Sequence, residues 1–136
     1  MLKRFSVSLE QKLLDRFDQF IGEQRYPNRS EAVRDLIRKA LVRQEWQADK
    51  EVMGVISLVY DHHHHQLQET ITELQHGFHR QIVSATHIHI DEINCLEVII
   101  VRGKARQVQE LAERLTVLRG VKDGNLAMSS TGGELH

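Results

Sequence analysis

The sequence predicts an α+β chain of two modules, a strand-helix-helix unit over residues 1–47 and a βαββαβ unit over residues 52–130. Two observations carry this prediction. Apolar residues recur at helical spacing in four segments, and at strand spacing or in short β-branched runs in five others. Charge and histidine are also unevenly divided. Residues 1–50 hold 11 Lys and Arg against 8 Asp and Glu and no histidine, whereas residues 51–136 hold 7 against 11 and all nine histidines. A net +3 beside a net −4 suggests modules with different partners.

In the first module, Phe5 and Val7 fall on one side of a strand over residues 3–8, and Arg4, Ser6 and Ser8 on the other. Ser8 followed by Gln11 reads as a capping box opening a helix whose stripe is Leu13, Leu14, Phe17, Phe20 and Ile21. Gly22 and the segment Arg25-Tyr-Pro-Asn-Arg-Ser break it. Ser30 is the expected cap of a second helix with the stripe Val33, Leu36, Ile37, Ala40 and Leu41. A lone strand has no ladder partner and two short amphipathic helices leave apolar faces uncovered, so two copies should pair through an antiparallel ribbon. Such a ribbon fits the DNA major groove, with Arg4, Ser6 and Ser8 toward base edges. Asn28, Arg29 and Ser30 form a helix start suited to a phosphate. Trp46 is expected at an inter-domain or dimer contact, and residues 47–50 as a linker.

In the second module, residues 52–60 read as a buried strand, and Leu67, Ile71, Leu74 and Phe78 mark a helix. Residues 82–90 and 95–101 are two strands joined by Asp91-Glu-Ile-Asn94 as a hairpin. Gly103 precedes a helix with Val108, Leu111, Ala112, Leu115 and Leu118. Gly120 stops it, and residues 121–129 supply a last strand before a loose tail from Thr131. The order βαββαβ is that of ferredoxin-like sandwiches.

The chemistry gathers at the hairpin. His87 and His89, two apart on a strand, share one face, with Ile88 and Ile90 expected in the core. Cys95 opens the returning strand beside them. Two imidazoles and a thiol on one surface suit a late first-row metal. A closed site needs a fourth ligand; His76 and His79 near the end of the preceding helix are candidates, supplied by a neighbouring chain if their own chain holds them too far away. The run His62 to His65 invites an auxiliary site with His62 its favoured member, although four consecutive helical residues cannot converge on one ion. Glu31 and Asp35 read as a solvated acidic face.

Composition narrows the function further. A formal charge of −1 argues against a uniformly basic coat, no apolar run approaches the roughly 18 residues of a membrane span, and no secretory leader is evident. The single cysteine suits a reducing cytoplasm, the expected location. Without a Walker loop, a Gly-x-Ser-x-Gly elbow or an oxyanion-hole loop, an enzyme is not expected. The residues leave open a metal buffer, or a regulator answering a small organic effector.

The segments Arg4-Phe-Ser-Val-Ser-Leu9 and Tyr26-Pro-Asn-Arg-Ser-Glu-Ala-Val-Arg-Asp-Leu-Ile-Arg38 resemble the ribbon-helix-helix DNA-binding domain. With the spacing His76-x10-His87-x-His89-x5-Cys95, nearly the whole chain resembles the nickel-responsive transcriptional regulators, NikR, in which that domain is joined to an ACT-type regulatory domain. The resemblance implies a homotetramer that binds operator DNA and represses nickel uptake. It implies one square-planar Ni2+ per subunit, held by His87, His89 and Cys95 of one subunit and His76 of another, with Glu97 orienting a ligand from behind. Relatives place a cation near Glu31 and Asp35, while Ser6 and Ser8 stand where members often carry Thr. The donor set itself would also accept copper, cobalt or zinc.

Overall fold

In the computed structural model, which describes residues 1–136, the elements are α1 (Gln11–Glu23), α2 (Arg29–Gln47), β1 (Glu51–Asp61), α3 (His65–Gly77), β2 (Ile82–His89), β3 (Asn94–Lys104), α4 (Ala105–Thr116) and β4 (Val121–Met128). The chain divides into two compact units, residues 1–40 and 41–136, with α2 running across the division.

In the first unit the helices form where the apolar spacing predicts, but their caps differ. α1 begins at Gln11 after an uncapped Glu10, so the Ser8 capping box does not form. The Gln11 side chain instead donates to Asp15 one turn on, at 2.8 Å. Asn28, not Ser30, caps α2. Its Oδ1 accepts from the Glu31 amide at 2.9 Å, which leaves Ser30 inside the first turn. Between the helices Arg25 takes φ 60°, and the Tyr26 hydroxyl donates to Asp35 of α2. Ile21 and Ala32 are buried, whereas Leu13, Leu36 and Ile37 stay exposed. Residues 1–10 form neither helix nor strand, and Phe5 and Val7 are 69% and 65% exposed. The strand expected over residues 3–8 has no neighbour to pair with in a single chain.

The second unit forms the six elements in the expected order, as one antiparallel sheet with strand order β2-β3-β1-β4. Along β1, Val52, Ile56, Leu58 and Tyr60 alternate into a core shared with Leu67 and Ile71 of α3 and with Val108, Leu111 and Leu115 of α4. Gly54 lies in this row because α4 approaches closely. A Cβ there would stand 2.9 Å from Val108 Cγ1 and 3.2 Å from Leu126 Cδ1. Gly120, at φ 103°, turns the chain from α4 into β4.

Three expectations are corrected in this unit. Ile88 and Ile90 do not enter the core; they stand on the open face of the sheet, 47% and 55% exposed, because the helices cover the opposite face. Trp46 is a buried member of this unit's own core, its Nε1 donating to Ser129 O at 2.9 Å. The tail is not wholly loose. The Gly132 amide donates to Ser130 Oγ at 3.0 Å, and a short turn closes between Gly132 and Leu135.

Candidate metal centre and DNA-binding face

Register brings the candidate ligands together. His89 pairs with Cys95 and His87 with Glu97, so all four share one face of the β2–β3 ladder. Cys95 continues the row of Ile99 and Val101, which is the helix-covered side. β2 is the sheet edge, so both histidines stay exposed while Cys95 is completely buried. The His87 and His89 rings lie 5.2 Å apart between centroids, and His87 stands edge-on to Tyr60 at 6.2 Å.

The thiol is held in its protonated form. Cys95 Sγ donates to the Tyr60 carbonyl at 3.4 Å. Burial pushes the thiol pKa up, the contact with Tyr60 opposes this, and the charge of Glu97 adds to the rise. Thiolate is the form that binds metal, so an incoming ion must displace this proton.

The hairpin is shaped by Asp91, whose Oδ1 accepts from the amides of Ile93 at 2.8 Å and Asn94 at 2.6 Å. These bonds, Asn94 first, hold the Asp91 carboxyl below its ordinary range. The turn places Asn94 at the start of β3 and Cys95 across from His89. Glu97 accepts from the Tyr60 hydroxyl through Oε2 at 2.8 Å and from Gln75 Nε2 through Oε1 at 3.0 Å.

His76 lies apart. One residue beyond Gln75 on α3, it is rotated about 100° away from the sheet, exposed, with its ring centroid 6.1 Å from that of His79. His79 Nδ1 lies 3.1 Å from the His76 carbonyl. Within the single chain no three His, Cys, Asp or Glu side chains form a ready metal cluster. The residues nevertheless fit the ion the ligand pattern implies. Two imidazoles and a thiol on one strand pair are donors that late first-row metals take, and they are one short of four.

The run His62 to His65 divides between separate tasks. His62 Nε2 lies 2.6 Å from the Glu92 carbonyl and its ring is edge-on to His89 at 4.8 Å. His63 pairs with Asp61 at 3.3 Å, and His64 Nδ1 caps α3 by accepting from the Leu67 amide. Glu31 is paired with Arg34, and Asp35 with Lys39 and Tyr26.

On the first unit Arg4, Ser6 and Ser8 are exposed, and Ser30 is exposed beside the Asn28 cap. Arg29 grips Asp18 with two bonds of 2.9 and 2.8 Å, which leaves three of its five donor hydrogens for another acceptor.

Tyr60 and Gln75 were not among the sequence-predicted site residues. Tyr60 had a signal, since a hydroxyl at the end of a buried run needs a polar partner. Gln75 had none beyond adjacency to His76.

A helix-turn-helix pair preceded by an exposed segment with Lys3 and Arg4, joined to a ferredoxin-like unit carrying two imidazoles and a thiol on one face, fits a metal-linked DNA-binding regulator. Comparison with known proteins names the class more closely. Residues 3–44 match the ribbon-helix-helix protein, copG family, and residues 53–129 match the NikR C-terminal nickel binding domain. The chain is 63% identical to a candidate nickel-responsive regulator of Desulfotalea psychrophila over the whole of both chains. It is 53% identical to one of Geobacter sulfurreducens, over 98% of this chain and 96% of the relative. An uncharacterized protein from Thermotoga maritima shares the fold, with a TM-score of 0.53 at 14% identity, over 58% of this chain and 98% of that one. The chain belongs to the nickel-responsive regulator family, and is a transcriptional regulator with DNA-binding and nickel-binding domains, not an enzyme.

Proposed function

We propose that this chain acts in the cytoplasm as a homotetrameric repressor of nickel-uptake genes, with residues 1–47 reading operator DNA and residues 52–130 holding the metal and the tetramer. The observation that carries the reading is the register that sets His87 and His89 on one face with Cys95 while their own His76 stands outside. Three donors from one chain and His76 from a second make up the set of four. The open sheet face supports assembly: Val55, Val59, Leu96, Val98 and Ile100 are half-buried and Ile88 and Ile90 exposed, a patch that a second copy can cover. The uncovered apolar residues of the first unit call for a partner in the same way.

Bound nickel supplies the centre on which donors of two chains converge. Cys95 would bind as thiolate, its proton passing to solvent and its bond to the Tyr60 carbonyl lost, His87 and His89 would offer ring nitrogens from the sheet edge, and His76 would complete the set from a neighbouring α3. Arg4, Ser6 and Ser8 meet base edges from the paired ribbon, while Asn28, Arg29 and Ser30 fix register on the phosphates. Regulation requires that the effector favour the DNA-competent arrangement over the others, because equal affinity shifts nothing.

Mixing two variants tests the shared site. His76→Ala and Cys95→Ala proteins each lose tight nickel binding, and co-refolding them restores some intact sites, since one variant supplies the trio and the other His76. A mixture with no tight sites, alongside normal assembly, refutes ligation between chains.

A further inference from the structure

Glu97 poses a chemical puzzle. Its register partner is His87, and it shares a face with His89 and Cys95, so it is the nearest carboxylate to the three donors along the ladder. An anionic oxygen there would complete a four-donor site inside one chain, with no need for a second copy. The structure shows both oxygens already engaged, one by the Tyr60 hydroxyl at 2.8 Å and the other by Gln75 Nε2 at 3.0 Å. The two donors come from different elements, β1 and α3, and both are shielded. Tyr60 is 2% exposed and Gln75 half-buried. Charge-assisted bonds to a shielded carboxylate are stronger than neutral ones, and losing either leaves a polar group without its partner.

We propose that Tyr60 and Gln75 withhold Glu97 from the metal, so that the fourth position stays open for a histidine of another subunit. They are positioning residues, and they set both donor type and assembly dependence. With Glu97 clamped, the set is nitrogen and sulfur and is completed only between chains. With Glu97 released, its oxygen completes the set within one chain, a harder donor that favours ions other than those preferring nitrogen and thiolate. Gln75 also ties the clamp to the α3 turn that carries His76, so the element that withholds the local ligand presents the foreign one.

This inference rests on the four-ligand reading above, and the experiment separates the two. Nickel affinity and absorption are measured for the full-length wild type and for Tyr60→Phe/Gln75→Leu, each with and without His76→Ala, and with Cys95→Ala as a control. Both clamp changes are near-isosteric, and circular dichroism with the single variants guards against misfolding. In the metal-free wild type, the Gln75 side-chain amide exchanges slowly with solvent, and Glu97→Ala speeds it.

In the wild-type background His76→Ala lowers nickel affinity by at least the roughly 10–100-fold of a supporting-residue change. In the released background the same substitution has little effect, and Glu97→Ala takes over as the costly change, with absorption shifted by oxygen ligation. If His76→Ala costs as much in both backgrounds, or if Glu97→Ala changes nothing after release, the withholding role is overturned while the four-ligand site stands. If Cys95→Ala binds nickel as the wild type does, the four-ligand reading itself falls.

Discussion

Nickel affinity should rise with pH, because binding displaces the proton of Cys95. Cys95 is fully buried, its proton is directed at the Tyr60 carbonyl, and burial lifts its pKa above the ordinary thiol value. The metal-free thiol therefore stays protonated at pH values where an ordinary thiol begins to ionise. Each ion therefore displaces one thiol proton wherever the pH lies below the raised thiol pKa. One pH unit is then about 1.36 kcal/mol of binding free energy, a slope of one in log affinity. The sign follows from mass action, since each proton removed by base need no longer be removed by the metal. Competition titrations at three pH values, corrected for buffer binding, read the slope directly. Cys95→Ala should bind weakly, with a slope in log affinity lower by about one. A flat wild-type profile, or the same slope in both proteins, would refute a buried thiol that ionises on metal binding.

Other outcomes follow from the same structure. Arg4→Ala should weaken operator binding by about 1–3 kcal/mol, the scale of a bidentate base contact, and leave nickel affinity unchanged; unaltered operator binding in a mobility-shift titration removes Arg4 from readout. Gly54→Ala places a methyl 2.9 Å from the stiff Val108 side chain, so overpacking of about 1–3 kcal/mol exceeds the roughly 0.5–1 kcal/mol gained by removing glycine, and the urea midpoint falls. A higher midpoint would show that α4 yields at no cost. Asp91→Ala should expose the Ile93 and Asn94 amides to exchange and loosen nickel binding. Because the Asp91 pKa is depressed, its contribution is present above the ordinary carboxylate pKa and is lost in the wild type as pH falls through the lower, folded value. Slow exchange of both amides in the variant would clear Asp91 of shaping the turn.

Much of the second unit was legible because its signals are local. The run Val52 to Tyr60, the spacing of Leu67 and Ile71, and the Asp91 to Asn94 turn place their elements to within a residue or two. Face assignment was not. β3 carries apolar residues on both sides, so alternation along His87-Ile-His-Ile90 fixes that the histidines share a face but not which face the helices cover. The buried Cys95 decides it, and burial is a tertiary fact. The caps failed for a related reason. Ser8 and Ser30 are good cap residues, but Gln11 found Asp15 and Asn28 found the Glu31 amide, and cap choice depends on small differences between competing local bonds.

A second copy of the chain is the one remedy proposed for all the features the single chain leaves incomplete. Residues 1–10 lack a ladder partner, Leu13, Leu36 and Ile37 lack cover, the sheet presents an apolar open face, and three donors stand without a fourth. Each is half of something that symmetry can complete, because in a closed oligomer every copy supplies what another lacks. The site proposed to be shared between subunits is compatible with the local geometry of α3. Gln75 faces inward to Glu97, and one residue later the helix turns His76 outward. A helix advances about 100° per residue, so the same turn of α3 can clamp its own subunit's carboxylate and offer a ligand to another. Two adjacent side chains of α3 thus serve the proposed metal sites of two subunits, and a substitution at either should change nickel binding.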